Sequence, residues 1–179
     1  MFLKIKKIPK VKWSSDKAYN FKPKFSTFFF LCFGLTLFGL GEGLLIVSFM
    51  GASPWSVLAQ GISLNINLSI GTITFLISVA VLILWIPLGQ KPGMGTILNA
   101  IIIALMIDLC IKFVPTPSNY LYQLILAIIS VITVGIGGGI YLVSNLGAGP
   151  RDGLMIGLQK KTNLPVAAVR AFLEISVVS

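Results

Sequence analysis

Several charged side chains lie inside long apolar segments of this sequence, where they could bind a proton or a substrate. Asp108 has Lys112 four residues later, and Arg170 has Glu174 at the same spacing. Residues four apart share one side of a helix and can neutralise each other. An unpaired charge in lipid costs several kcal/mol unless it lines a cavity. Glu42 has no cation near it in the sequence, so it is the strongest candidate for a proton or substrate contact.

Two short segments begin with a pattern that is typical of a helix start. One opens with Ser53-Pro54 and the other with Gly149-Pro150, and proline suits the first position of a helix. Each predicted helix is roughly 18 Å long, too short to cross a bilayer. They cover about residues 54–65 and 150–161. Both a re-entrant and an interfacial placement stay open. A re-entrant helix would point its positive dipole end into the protein, which suits an anion.

Polar and aromatic residues complete the candidate site. Trp55 and Asn99 offer stacking and polar contacts. Arg151 suits an anionic substrate or a lipid, and a surface ion pair with Asp152 is an equal alternative. The predicted substrate-binding residues are Glu42, Ser53, Pro54, Trp55, Asn99, Asp108, Pro150, Arg151 and Asp152.

No catalytic residue, cofactor or metal site is predicted. The chain has no histidine, and its two cysteines, Cys32 and Cys110, both lie in apolar segments. No nucleophile and base stand in a recognisable pattern, so the chain is not expected to be an enzyme.

A glycine-rich segment occurs twice in the sequence. The stretch that begins at Gly39 recurs from Gly135, 96 residues later, with twelve identities in forty aligned positions. A period of this length predicts a duplicated unit of several helices. Within it, Gly39 and Gly43 and their counterparts Gly135 and Gly139 have the small-xxx-small spacing that lets membrane helices approach closely. Close packing is favoured over a hinge at both copies.

The composition predicts an integral membrane protein. Of the 179 residues, 56% are hydrophobic and only 11% are charged, and apolar runs of spanning length recur. The predicted spans of this single transmembrane domain, residues 25–179, are about 25–49, 69–88, 94–114, 120–143 and 165–179. The last is too short to cross the hydrocarbon layer, and the 96-residue offset places the counterpart of the third span near 188. We therefore expect a copy truncated before a sixth span.

Positive charges predict the orientation. Eight of the fourteen Lys and Arg residues precede Phe25, so residues 1–24 are predicted to be a cytoplasmic tail, poorly ordered or on the membrane surface. Contact with anionic lipid is favoured over nucleic acid. This orientation also places inside Lys91, Arg151, Lys160 and Lys161. With three spans per unit, the repeats, about 1–114 and 115 to the end, must have inverted topology, as in many secondary transporters.

The sequence resembles the YczE/YyaS/YitT group of bacterial membrane proteins, and its YczE-like branch in particular. The resemblance covers about residues 27–179 and is carried by Leu-Gly-x-Gly to Gly-Ala-Ser-Pro-Trp-Ser-Val-Leu (40–58), Pro-Gly-Met-Gly-Thr-Ile-Leu-Asn to Ile-Asp-Leu (92–109) and Leu-Gly-Ala-Gly-Pro-Arg-Asp-Gly-Leu-Met (146–155). It implies an inner-membrane protein of about six spans. Related sequences commonly carry Asp where this chain has Ser56.

The architecture favours a small-molecule permease or exporter whose site lies between the two short helices. Its substrate is unknown. The alternative is a non-transporting regulatory, scaffold or lipid-interacting membrane protein, and homo-oligomers are compatible with either. A polar cavity that reaches Glu42 or Asp108 would favour transport, and a dry interior with both acids paired would favour the alternative.

Overall fold

The computed structural model describes residues 11–179, which form seven α-helices and no strand. The helices are α1 (Phe25–Val47), α2 (Pro54–Asn65), α3 (Ile70–Trp85), α4 (Met94–Phe113), α5 (Tyr120–Val143), α6 (Pro150–Thr162) and α7 (Val166–Val178). The predicted all-helical membrane class is confirmed. The first part of the basic tail, with Lys4, Lys6, Lys7 and Lys10, lies outside the described residues.

Three helices of the described chain are long and apolar enough to cross a bilayer, namely α1, α4 and α5. The pair α2 and α3 makes a fourth candidate span, broken by a bend of 116°. Two predicted spans are shorter in the structure, since α3 has 16 residues and α7 has 13. The helix α3 ends at Trp85, because Pro87 has no N–H group with which to continue the helical hydrogen bonds.

The 96-residue repeat recurs in the backbone. Pro54 and Pro150 begin α2 and α6, and Ile70 and Val166 begin α3 and α7, each pair 96 positions apart. The turns that end α1 and α5 also match, because positive φ angles occur at Phe49, Gly51, Asn145 and Gly147. The helix starts and connecting turns of the two copies therefore correspond. The inverted orientation of the two copies in the membrane stays a prediction.

The two long helices α1 and α5 cross in close antiparallel contact. A Cβ atom built on Gly34 would lie 2.9 Å from the carbonyl oxygen of Gly137. One built on Gly41 would lie 2.9 Å from the carbonyl oxygen of Ser130. Adding 96 to 34 gives 130, and adding 96 to 41 gives 137, so exchanging the repeats converts one contact into the other. The crossing is thus symmetric with respect to the duplication.

The glycine faces of the two copies have different surroundings. A Cβ on Gly39 would lie 2.7 Å from Cβ of Met106, and one on Gly43 would lie 2.5 Å from Cβ of Cys110, so this face packs on α4 as predicted. The prediction is wrong for Gly135 and Gly139, since no atom of the described residues outside their own turns of helix comes within 4 Å. The physical reason is that no described helix occupies on α5 the place that α4 occupies on α1.

This difference gives a matched test of helix packing. We expect Gly39→Ala to lower the free energy of unfolding by about 1–2 kcal/mol, because overpacking against α4 outweighs the gain in helix propensity. The equivalent Gly135→Ala should be neutral or stabilising by up to about 1 kcal/mol, since its added methyl group meets open space. Thermal unfolding of both variants in one detergent measures the difference. Equal stability of the two would contradict the packing described here.

Residues 11–24, which we call the N-terminal segment, are fixed to the end of α5. Ser14 Oγ donates to the carbonyl oxygen of Val143 at 2.7 Å, and Ser15 N donates to that of Ser144 at 3.0 Å. The prediction of a poorly ordered tail is therefore wrong for this part, and contact with the membrane surface stays a prediction. The last carbonyl groups of a helix lack partners inside it, and the serines supply donors to them.

Candidate functional site

A cavity of about 410 Å³ lies between the starts of α2 and α6, with α1, α5 and α7 forming its other walls. This volume falls within the range of small-molecule sites in proteins. It brings together six of the nine predicted site residues, which are Glu42, Ser53, Pro54, Trp55, Arg151 and Asp152. The two short helices therefore bring their first turns to one place, although 96 residues separate their starts.

Glu42 connects α1 to the start of α2. It is only 5% exposed, and its Oε2 accepts hydrogen bonds from Ser53 Oγ at 2.8 Å and Ser56 Oγ at 2.7 Å. Ser53 occupies the cap position of α2 but donates to this carboxylate and makes no side-chain cap. A negative charge beside the first turn of a helix is also favoured by the helix dipole. Ser56 was not predicted as a site residue, although its spacing of three from Ser53 places both on one helix face.

Asp152 makes the corresponding connection in the second copy. It lies in the first turn of α6, and its Oδ2 accepts a hydrogen bond from Tyr141 OH at the end of α5. Ser56 and Asp152 are equivalent positions in the repeat, and each binds the side chain of a long helix. The acid is on α1 in the first copy and on the short helix in the second. Sequence reasoning missed Tyr141, because an aromatic residue in an apolar span carries no local signal of a polar partner.

Arg151 is the one cation lining the cavity that has no ion-pair partner among residues 11–179. Its guanidinium lies 5.3 Å from the ring centroid of Trp55, in a cation–π contact. Within residues 11–179 no carboxylate oxygen comes within 4.0 Å of its nitrogens, so the alternative of an ion pair with Asp152 is not observed. Burial lowers the pKa of Arg151, while Glu42 and Asp152 act in the opposite direction. An arginine keeps its charge in proteins, so the site presents a permanent cation.

A second cavity of about 50 Å³ adjoins the first and shares Arg151 and Asp152 with it. Asn99 of α4 lines this smaller space. Such a space has room for a water molecule that could bond to these polar groups. Asn99 therefore lines the smaller cavity and not the larger one.

Two predicted site residues line neither cavity. Asp108 accepts hydrogen bonds from Ser69 Oγ at 2.6 Å and from Gly71 N at 2.8 Å, and it thereby holds the start of α3. The pairing of Asp108 with Lys112 that the spacing allowed is absent from the described structure, because the unpaired N–H groups of α3 attract the carboxylate. Pro150 is buried, and its carbonyl oxygen accepts from Trp85 Nε1 at 2.9 Å.

The predicted pairing in α7 is confirmed. Arg170 Nε lies 2.8 Å from Glu174 Oε1, and both residues line the larger cavity. The partially exposed pair neutralises itself and contributes little to stability. Its position on the cavity wall could not be read from the i, i+4 spacing alone.

Comparisons with known proteins agree with the membrane character of the fold. Residues 25–179 match a family described as "Family of unknown function (DUF6198)". An uncharacterized protein of Haemophilus influenzae is 40% identical over 174 residues, which are 97% of this chain and 79% of that protein. The uncharacterized membrane protein YczE of Bacillus subtilis is 31% identical over 84% of this chain and 70% of its own length. The Bacillus subtilis protein YyaS is 34% identical, over 73% of this chain and 69% of its own. No solved structure matches the chain.

Proposed function

We propose that this chain, which belongs to the DUF6198 family and is a membrane protein similar to YczE, is a small-molecule permease or exporter. The sequence identities with YczE and YyaS confirm the resemblance that the motifs predicted. We place the protein in the bacterial inner membrane with its N-terminus in the cytoplasm, as the distribution of lysines indicates.

The observation that carries the proposal is the charged cavity between the two short helices. Arg151, Glu42 and Asp152 face a partly open space of about 410 Å³ that is bordered by α1, α2, α5, α6 and α7. Ionisable groups within a membrane protein are costly and usually mark a pathway for an ion or a substrate. A polar cavity that reaches Glu42 is expected of a transporter and is not expected of a protein in which Glu42 is only structural.

The repeat supplies a means of alternating access. The closely packed crossing of α1 and α5 is symmetric with respect to the duplication. The start of α2 binds Glu42 of α1, and the first turn of α6 binds Tyr141 of α5. In transporters built from inverted repeats, one repeat moves against the other, so that a central site opens first to one side of the membrane and then to the other. We propose that α2 and α6 move in this way on either side of the cavity.

The test is chemical access to the cavity from each side of the membrane. Gly138 lines the cavity, and a Cβ there would lie 3.4 Å from the Phe38 ring, so Gly138→Cys should be tolerated. In a background with Cys32 and Cys110 replaced by alanine, a charged maleimide should label this cysteine from both sides of sealed vesicles. Gly135→Cys on the open face of α5 is the matched control and should not be labelled by a reagent that stays in water.

The alternative of a regulatory or scaffold protein is favoured by a different observation. Asp108 is bound at the start of α3, and Glu174 is paired with Arg170, so two of the intramembrane acids already have structural partners. Labelling of the Gly138→Cys variant from one side only, or from neither, would contradict the permease and support this alternative.

A further inference from the structure

The charged groups of the larger cavity keep unused bonding capacity of both signs. Arg151 has no acceptor for its guanidinium among residues 11–179. Glu42 accepts both serine hydroxyls on Oε2, and Asp152 accepts Tyr141 on Oδ2, so Oε1 and Oδ1 have no donor from the described chain. Among residues 11–179, every side-chain nitrogen or oxygen atom that is fully shielded from solvent has a hydrogen-bond partner. Because the free oxygens of Glu42 and Asp152 and the guanidinium of Arg151 have none, they are not fully shielded and can be reached from the cavity.

The free bonding groups of both signs favour a ligand that carries both signs. A ligand with only a carboxylate would satisfy Arg151 but would add negative charge near Glu42 and Asp152. A ligand with only an ammonium group would leave Arg151 without an acceptor in a partly desolvated place, which is unfavourable. The pair of Arg170 with Glu174 is already neutral, so it favours neither an anion nor a cation as the ligand. A zwitterion satisfies all the free groups at once.

The remaining wall of the cavity is largely apolar. Its side chains include Leu45, Val131, Val134, Leu142 and Leu173. Small-molecule sites commonly combine an apolar lining with a few polar groups that fix the orientation of the ligand. The part of the ligand away from its charges is therefore expected to be a hydrocarbon.

We propose that this cavity binds a small zwitterion of the amino-acid type with an apolar side chain. Its carboxylate pairs with the guanidinium of Arg151, for which the planar fork geometry is well suited. Its ammonium group donates to the free oxygens of Glu42 and Asp152, and its side chain contacts the apolar wall. The inference rests on the proposed permease function and names the class of its substrate.

Three probes of nearly equal size test the proposal on the purified full chain. L-Leucine carries both charged groups, 4-methylpentanoate lacks the ammonium group and 3-methylbutylamine lacks the carboxylate. Titration calorimetry should show that leucine binds about 10–100-fold more tightly than either truncated probe, because each lost group leaves a charged partner unpaired. Equal binding of leucine and one truncated probe, or saturable binding of none of the three, would overturn the proposal.

Variants assign the two ends of the ligand. Arg151→Gln should weaken leucine binding about 10–100-fold and should not weaken the binding of 3-methylbutylamine, which loses a like charge beside it. Glu42→Gln should weaken leucine binding and should not weaken the binding of 4-methylpentanoate, for the same reason. Lys160→Gln removes the same charge from the far end of α6 and serves as the control, with leucine binding unchanged. If a variant that unfolds at the wild-type temperature no longer binds any of the three probes, then the assignment of Arg151 and Glu42 to opposite ends of the ligand is contradicted. The comparison of probes on the wild-type chain needs no variant and decides the proposal even where a variant fails to fold.

Access labelling separates this inference from the proposed function. Labelling of the Gly138→Cys variant from both sides together with no leucine binding would overturn the ligand class and leave the permease standing. Labelling from one side only together with selective leucine binding would overturn the permease and keep the zwitterion site.

Discussion

Replacing Ser56 by aspartate, Ser56→Asp, is expected to lower the free energy of unfolding by roughly 3–5 kcal/mol. The Ser56 hydroxyl lies 2.7 Å from Glu42 Oε2, so the variant sets two carboxylates against each other in a buried place. Two unit charges 4 Å apart interact by about 4 kcal/mol at the effective dielectric constant of a protein surface. The hydrogen bond from the serine is lost as well. Chemical unfolding in detergent at neutral pH measures the loss.

The matched variant Ser56→Asn changes size and polarity in a similar way but adds no charge, so it should be much less damaging. Two changes should rescue Ser56→Asp. Adding Glu42→Gln replaces the repulsion by an amide–carboxylate hydrogen bond, and lowering the pH lets the two acids share a proton. A Ser56→Asp chain as stable as Ser56→Asn would show that Glu42 does not hold the start of α2.

The second large effect is expected at Gly153, whose Cα faces the indole of Trp85. A Cβ atom added there would overlap the ring, and Trp85 is only 3% exposed and therefore cannot move aside. Its Nε1 also donates to the Pro150 carbonyl at 2.9 Å. We expect Gly153→Ala to destabilise the protein by about 2–4 kcal/mol, through overpacking together with the strained or lost hydrogen bond. The same unfolding assay measures it.

Gly61→Ala is the control, because Gly61 lies within the equivalent short helix α2 and has no atom of the described chain within 4 Å beyond its neighbours. It should be neutral or slightly stabilising, as alanine is the better helix former. If the two variants unfold at the same midpoint, then α6 does not pack on Trp85 as described.

Local signals account for the features that the sequence predicted well. Pro54 and Pro150 begin their helices because proline lacks an N–H group that the first turn would leave unpaired. The pairing of Arg170 and Glu174 follows from their spacing within one helix. The duplication was also visible, since equal residues at a fixed offset need no knowledge of contacts. The positions of the helices followed from these signals.

Contacts between distant parts of the chain could not be predicted in this way. The bond of Tyr141 to Asp152 and that of Asp108 to the start of α3 depend on how helices pack. Lys112 was the candidate partner of Asp108 that lies nearer in sequence, but Asp108 binds an N–H group at the start of α3 instead. The open face at Gly135 was hidden for the same reason, because its sequence is equivalent to that of Gly39 and only the neighbouring helix differs.

The attachment of the N-terminal segment has a consequence for the order of biosynthesis. Ser14 and its acceptor Val143 are separated by 129 residues, so their hydrogen bond cannot form until α5 has left the ribosome and entered the membrane. The segment synthesised first among the described residues thus reaches its final position after five helices have been made. Protection of this segment from proteolysis consequently reports that insertion has proceeded as far as α5.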